Sequence, residues 1–305
     1  MAASPDQPAR PRAAVAIAQA AILLAAFGYI AWRLAGQWDA LRHHAWTLRP
    51  GPALLSLPLA AGWFLCRVWL WQRLLAAMGH PLAYRRTFRA WVLSELGRYL
   101  PGKVWLVLGR SYLAGRQGVP ARVVLTGMVF ELALVALAAV AFFPLRAGAG
   151  SVIGIPAAWA VGVALILVAA LHPRIMSPLI NAALRRLGRA PIEVMPSYRA
   201  LLGMFALCLL MWACLSAGFA LLAASLAPVG GRDVVAVAAS FPVAWIVGLL
   251  AFVAPGGLGV REGVLAALLS GLLPGGMAVV VALASRLWIT AVELLCAAAA
   301  SRLRD

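Results

Sequence analysis

Runs of about twenty apolar residues recur along this chain of 305 residues, and two short stretches interrupt them with glycine, proline and charge. A run of that length is what a helix needs to cross a bilayer core of about 30 Å. The first interruption contains Glu95, Gly97, Arg98, Pro101, Gly102 and Lys103; the second contains Pro255, Gly256, Gly257, Gly259, Arg261 and Glu262. In lipid, broken backbone and charge are tolerated where they line a cavity or a pathway. The two interruptions therefore read as the working part of the chain.

Composition agrees with a membrane setting. Charged residues make up 11% of the chain and hydrophobic residues 64%, whereas a soluble domain carries about 25% charge. The apolar runs do not alternate, which selects helices over a barrel. The net charge of +17 comes mostly from arginines in short loops. There they set orientation and meet anionic headgroups, and no nucleic-acid-binding motif accompanies them. Cys66, Cys208, Cys214 and Cys296 form no CxxC and read as small buried hydrophobes, so neither a metal site nor a cofactor is expected.

The expected organisation is a disordered cytoplasmic N-terminus at 1–12 and a single transmembrane domain at 13–305. The fold class is all-α: a polytopic integral membrane helix bundle. It has about seven spans and two short re-entrant or broken helical hairpins. The spans fall at 13–32 (an uncleaved anchor), 53–72, 123–145, 152–171, 200–226, 234–254 and 277–300. Arg67 lies near the end of its span and reads as snorkelling. The pieces at 90–100 and 104–108 are too short to cross and flank Pro101-Gly102, which suggests a re-entrant hairpin; a kinked or surface helix is the alternative. The piece at 264–273 follows the second break. Residues 173–199 form a basic segment with an apolar face at Ile175, Leu179, Ile180, Ala183 and Leu187. The arginine-rich loops place both termini on the cytoplasmic side of the cell membrane.

The two interruptions echo each other in reverse. One reads Glu95-x-x-Arg98-x-x-Pro101-Gly102, the other Pro255-Gly256 followed by Arg261-Glu262. Such discontinuous helices in two halves suggest an inverted repeat. In the second, the glycines free the backbone to approach a ligand, and a helix starting near Val260 offers its amide end to an anion such as a phosphate headgroup. The plain alternative is a turn whose arginine meets lipid phosphate. Glu95 and Arg98 share a helix face and can pair. Glu131 lies inside a span with no partner nearby in sequence. A charge at mid-bilayer costs roughly 2.5–3.5 kcal/mol. Glu95, Glu131, Glu262 and Glu293 are thus expected to face inward and pair with Arg98, Arg261 or Arg286. For Arg286 and Glu293 a gluing role and a functional role stand equal.

These residues resemble the transmembrane region of lysylphosphatidylglycerol synthases, the flippase-like domain family, from about Trp71 to Leu303. The likeness rests on the turn at Gly79, the Glu95-to-Trp105 stretch, the Glu131 span, the Pro255-to-Glu262 stretch and the Arg286 span. It implies a polytopic helical fold with re-entrant pieces and a role in moving lipids between leaflets. In the synthases a soluble aminoacyl-transferase domain follows; here the chain stops at Asp305, so aminoacyl transfer is not expected. A translocase of a lipid with an anionic or glycosylated headgroup is the favoured function, acting alone, as a homo-oligomer or with a partner membrane enzyme. A membrane enzyme on a lipid-linked substrate and an accessory subunit are the alternatives. Neither a nucleotide-binding loop nor an Asp-rich metal motif is present in the sequence.

Overall fold

A computed structural model describes residues 48–99, 104–147, 172–186, 194–250, 259–274 and 276–303, apart from a few positions within them, with isolated positions between 162 and 171. The expected N-terminal segment and first span, most of the span at 152–171, and Pro101, Gly102, Lys103, Pro255, Gly256 and Gly257 lie outside these. Among the described residues all regular structure is helical. In chain order the helices are α1 (Pro50–Ala77), α2 (Tyr84–Glu95), a 3-10 turn (Leu96–Tyr99), α3 (Val104–Gly115), α4 (Ala121–Val140) and α5 (Phe143–Ala147). They continue with α6 (Pro173–Arg186), α7 (Tyr198–Leu226), α8 (Val234–Leu250), α9 (Val260–Leu269) and α10 (Met277–Ser301). Among the described residues, four segments are long and apolar enough to cross a membrane: Pro50–Ala77, Ala121–Arg146, Tyr198–Leu226 and Met277–Ser301. The expected span at 234–254 is described as a helix of 17 residues, shorter than those four.

α1 and α7 form the centre of the bundle and run antiparallel. Arg49 N–H at the start of α1 donates to the Ser225 carbonyl near the end of α7 at 2.9 Å. Midway along, the Trp63 and Trp212 rings lie 4.4 Å apart. Proline at the first positions of α1 suits a helix start, where no amide is needed. The Ser197 hydroxyl caps α7 by accepting from Ala200 N–H.

Two shorter pairs flank this centre. α2 and α3 have 12 residues each, or about 18 Å of helix, too little to cross alone. They pack antiparallel: Gly109 lies against Ser94, and Gly97 lies against the backbone of Trp105 and Leu106. A Cβ on Gly97 would sit 2.7 Å from Leu106 N, so only glycine lets the arms close. α8 and α9 pack on each other in the same manner, with Gly248 against Arg261. Each sequence interruption thus falls at the join of a helical hairpin.

The packing scheme maps onto itself when α1–α4 is exchanged with α7–α10. The pairs α1·α2, α2·α3, α3·α4, α1·α4, α4·α7 and α4·α8 correspond to α7·α8, α8·α9, α9·α10, α7·α10, α10·α1 and α10·α2, and all are in contact. Side chains follow suit. Phe64 and Trp212 each occupy the fifteenth position of their helix. Each packs edge-on against a tryptophan of the next helix, Phe64 on Trp91 and Trp212 on Trp245. The sequence carries the same register: Ala90-Trp91-Val92 and Ala244-Trp245-Ile246 each precede Pro-Gly by the same spacing. Because the corresponding helices α1 and α7 are antiparallel, the two halves are inverted with respect to each other.

Candidate functional site

A continuous chain of opposite charges runs through the first hairpin. Arg67 of α1 donates to Glu131 of α4 at 2.6 Å, and Glu131 also accepts from Arg110 of α3 at 2.7 Å. Arg110 bonds Glu95 of α2. Glu95 lies 3.2 Å from Arg98 in the 3-10 turn, and Arg98 in turn bonds Glu293 of α10. Three arginines thus alternate with three glutamates across five elements and the turn, and the set is neutral as a whole. Buried charge is tolerated when each group is paired and hydrogen-bonded, and this arrangement meets that condition.

Arg110 is the hub. It is 1% exposed. Its Nε donates to the Ser94 hydroxyl at 3.0 Å, and its two remaining nitrogens reach two different carboxylates. Trp91 sits between Arg110 and Arg67, whose guanidinium carbons lie 5.0 and 4.9 Å from its ring. Its indole N–H donates to Glu131 at 3.0 Å. Cation–π contact of this kind strengthens when desolvated. The core therefore fixes the inner four charges from several directions. Arg98 is different: its side chain retains 35% exposure.

Arg98 marks the place where the chain of charges meets a cavity of about 730 Å3, within the usual range for a ligand pocket. Arg67, Glu95, Arg98, Arg110 and Glu131 line one part of it. Apart from Thr126 the rest is apolar, from Leu106 and Val107 of α3, Val129 and Leu132 of α4, and Leu179 and Ile180 of α6, among others. Leu179 and Ile180 belong to the expected apolar face of the basic segment. The site is amphiphilic: ionic at one part, aliphatic elsewhere.

The second interruption builds a separate cluster. Gly259 takes φ +81°, a left-handed conformation natural to glycine, and starts α9. Glu262 folds back so that its Oε2 accepts from Gly259 N–H at 2.8 Å. Its Oε1 lies 3.8 Å from Arg286 and 4.0 Å from Arg261, beyond hydrogen-bond reach. The Arg261 guanidinium lies 4.8 Å from the centre of the Phe241 ring. Of the described residues of the second hairpin, only Leu249 lines the large cavity. Arg286 and Glu293, seven residues apart on α10, serve different clusters: Arg286 faces Glu262 and Glu293 faces Arg98.

The expected inward pairing of Glu95, Glu131, Glu262 and Glu293 is what the structure has, with Arg110 added to Arg98 as a partner of Glu95 and with other partners for Glu131. Glu131 pairs with Arg67 and Arg110 instead of the arginines expected for it. Arg67 does not snorkel. It lies well inside α1, which runs on to Ala77, and only 14% of its side chain is exposed. Arg110 is absent from the sequence expectations, because 104–108 reads as the whole apolar piece. Its signal was its place on the second arm of a hairpin, where antiparallel register carries it to Glu95. Among the described residues, no group of three or more His, Cys, Asp or Glu could hold a metal ion.

Comparison with known proteins gives a family. A search of curated proteins finds no match to this chain. The family described as lysylphosphatidylglycerol synthase TM region matches residues 13–296, nearly the full length. The all-helical fold and the intramembrane charges agree with that match, and the chain belongs to the lysylphosphatidylglycerol synthase transmembrane-region family.

Proposed function

We propose that the protein moves a lipid with a polar, phosphate-bearing headgroup between leaflets, using the cavity beside the first hairpin. The family points to a membrane protein acting on lipids. The observation that carries the finer reading is the amphiphilic cavity: Arg98, at its ionic part, is the most exposed of the arginines in the charge chain. A headgroup phosphate engages Arg98, while the acyl chains follow the aliphatic wall of Leu106, Val129, Leu132 and Ile180. Moving Arg98 onto a phosphate takes a cation from Glu293. A proton, or a hydrogen-bond donor on the headgroup, fills that place, as intramembrane acids commonly allow. The buried inner charges, Arg67, Glu131, Arg110 and Glu95, hold the hairpin in place while Arg98 changes partner. The short arms of α2 and α3 suit a re-entrant position that leaves the tip within the bilayer.

Reconstitution tests this reading. Liposomes carrying the purified protein and a headgroup-labelled phospholipid on one leaflet should show leaflet transfer, and Arg98→Gln should slow it. Chemical conversion of the lipid without leaflet transfer would support a membrane enzyme instead. Absence of both would leave the scaffold reading.

A further inference from the structure

Among the described residues, no hydrogen bond holds the guanidinium of Arg286, although it lies well inside α10, a helix long and apolar enough to span. Its one ionic contact there is with Glu262, 3.8 Å away, and its side chain keeps 24% exposure. The two oxygens of Glu262 differ. Oε2 accepts from Gly259 N–H at the start of α9, whereas Oε1 is buried and has no hydrogen-bond partner. Arg261, 4.0 Å from that oxygen, is engaged on the Phe241 ring. In the first hairpin, by contrast, Arg67, Arg98 and Arg110 each donate to a glutamate.

Ions left without hydrogen bonds at membrane depth are costly, so a bridging group would stabilise the pair. What each ion lacks defines that group. A guanidinium only donates, and an ionised carboxylate only accepts. The bridge must therefore accept from Arg286 and donate to Glu262. A phosphodiester has no donor and is repelled by Glu262; an ammonium has no acceptor and is repelled by Arg286. A hydroxyl does both, and its oxygen can come within about 3 Å of each partner. Two hydroxyls on adjacent carbons serve the ions one apiece. The pair is neutral in sum, which suits an uncharged ligand.

We propose that Glu262 and Arg286 bind the hydroxyls of an uncharged lipid headgroup, a sugar or another vicinal diol. Leu283, one turn before Arg286, and Leu287, next to it, are exposed. Aliphatic surface thus adjoins the exposed part of the arginine, and acyl chains follow those leucines while the headgroup reaches the pair. The site belongs to the second cluster alone. It stands whether or not the cavity at the first hairpin moves lipid.

Native mass spectrometry of the full chain in lauryldimethylamine oxide, a detergent without hydroxyls, tests it. The probes are monoglucosyl diacylglycerol, the same lipid with every sugar hydroxyl methylated, and phosphatidic acid. The glucosyl lipid should add one equivalent to the wild type. Methylation keeps the acceptors but removes the donors that Glu262 needs, so it should weaken that equivalent about tenfold or more. Arg286→Met, which removes the facing donors, should do the same, as should Glu262→Gln, which keeps an acceptor for Gly259. Unfolding midpoints report that each variant is folded, and the methylated lipid needs no variant. Arg98→Gln should leave the equivalent intact, which separates this site from the large cavity. Equal binding of the two glucosyl lipids, wild-type binding by Arg286→Met, or displacement of the glucosyl lipid by phosphatidic acid would overturn the proposal. So would the absence of a bound glucosyl lipid, which leaves water as the bridge.

Discussion

In the first hairpin Arg110 holds Glu95 and Glu131 by direct hydrogen bonds, whereas in the second Glu262 stands 3.8 Å from Arg286 and 4.0 Å from Arg261. The scaffolds match element for element, so the difference lies in the side chains. Register on Trp91 and Trp245 sets Glu95 against Leu249 and Arg98 against Phe252. One half carries charge on both arms, at Glu95 before the break and Arg110 after it; the other carries it only on the arm after, at Arg261 and Glu262. The comparison teaches that two halves with the same packing scheme can carry different charges. One hairpin holds its carboxylates by direct hydrogen bonds, and the other holds a looser cluster in which Glu262 Oε1 has no hydrogen-bond partner.

Substitutions can break or sharpen that contrast. The largest effect is expected at Arg110→Ala. It leaves two buried carboxylates without their shared cation, a loss of about 3–5 kcal/mol, and thermal unfolding in detergent should show failure to fold or a large drop in midpoint. The matching change in the second half, Arg286→Ala, should move the midpoint far less, because its contact with Glu262 is long and its side chain is 24% exposed. Equal losses would show that the two networks are alike after all. Next in size, Gly97→Ala drives a Cβ into the Leu106 backbone and should cost about 1–3 kcal/mol. Gly248→Ala meets the Arg261 side chain at 2.9 Å instead, and the smaller loss expected there is read by the same assay. Smallest is Glu262→Gln. Its amide oxygen can still accept from Gly259, so the change should stay within about 1 kcal/mol, whereas Glu131→Gln, which strips two arginines and an indole of their anion, should exceed it clearly.

The sequence made part of this legible. Glutamates inside apolar runs announce themselves, because their cost in lipid demands a partner, and Glu95, Glu131, Glu262 and Glu293 are all buried against arginine. Arginine is harder to read. Its long stem lets it serve equally well as a loop charge, a snorkel or a buried hub. Arg67 became visible only once α1 was seen to continue five residues past the expected end of the span. Arg110 became visible only once the hairpin register was known. The charges of the two reversed motifs form, among the described residues, two clusters joined by α10, since Arg286 and Glu293 are about 10 Å apart along the helix axis. Seven residues place two side chains on one face, but two turns of rise are enough to send them to different neighbours.

The measurement that bears most directly on the central claim is leaflet transfer by Arg98→Gln, paired with its unfolding midpoint. The partly exposed arginine is expected to engage the headgroup, so transfer should fall about tenfold or more while the midpoint falls far less than in Arg110→Ala. A folded Arg98→Gln protein that moves lipid at the wild-type rate would contradict the account.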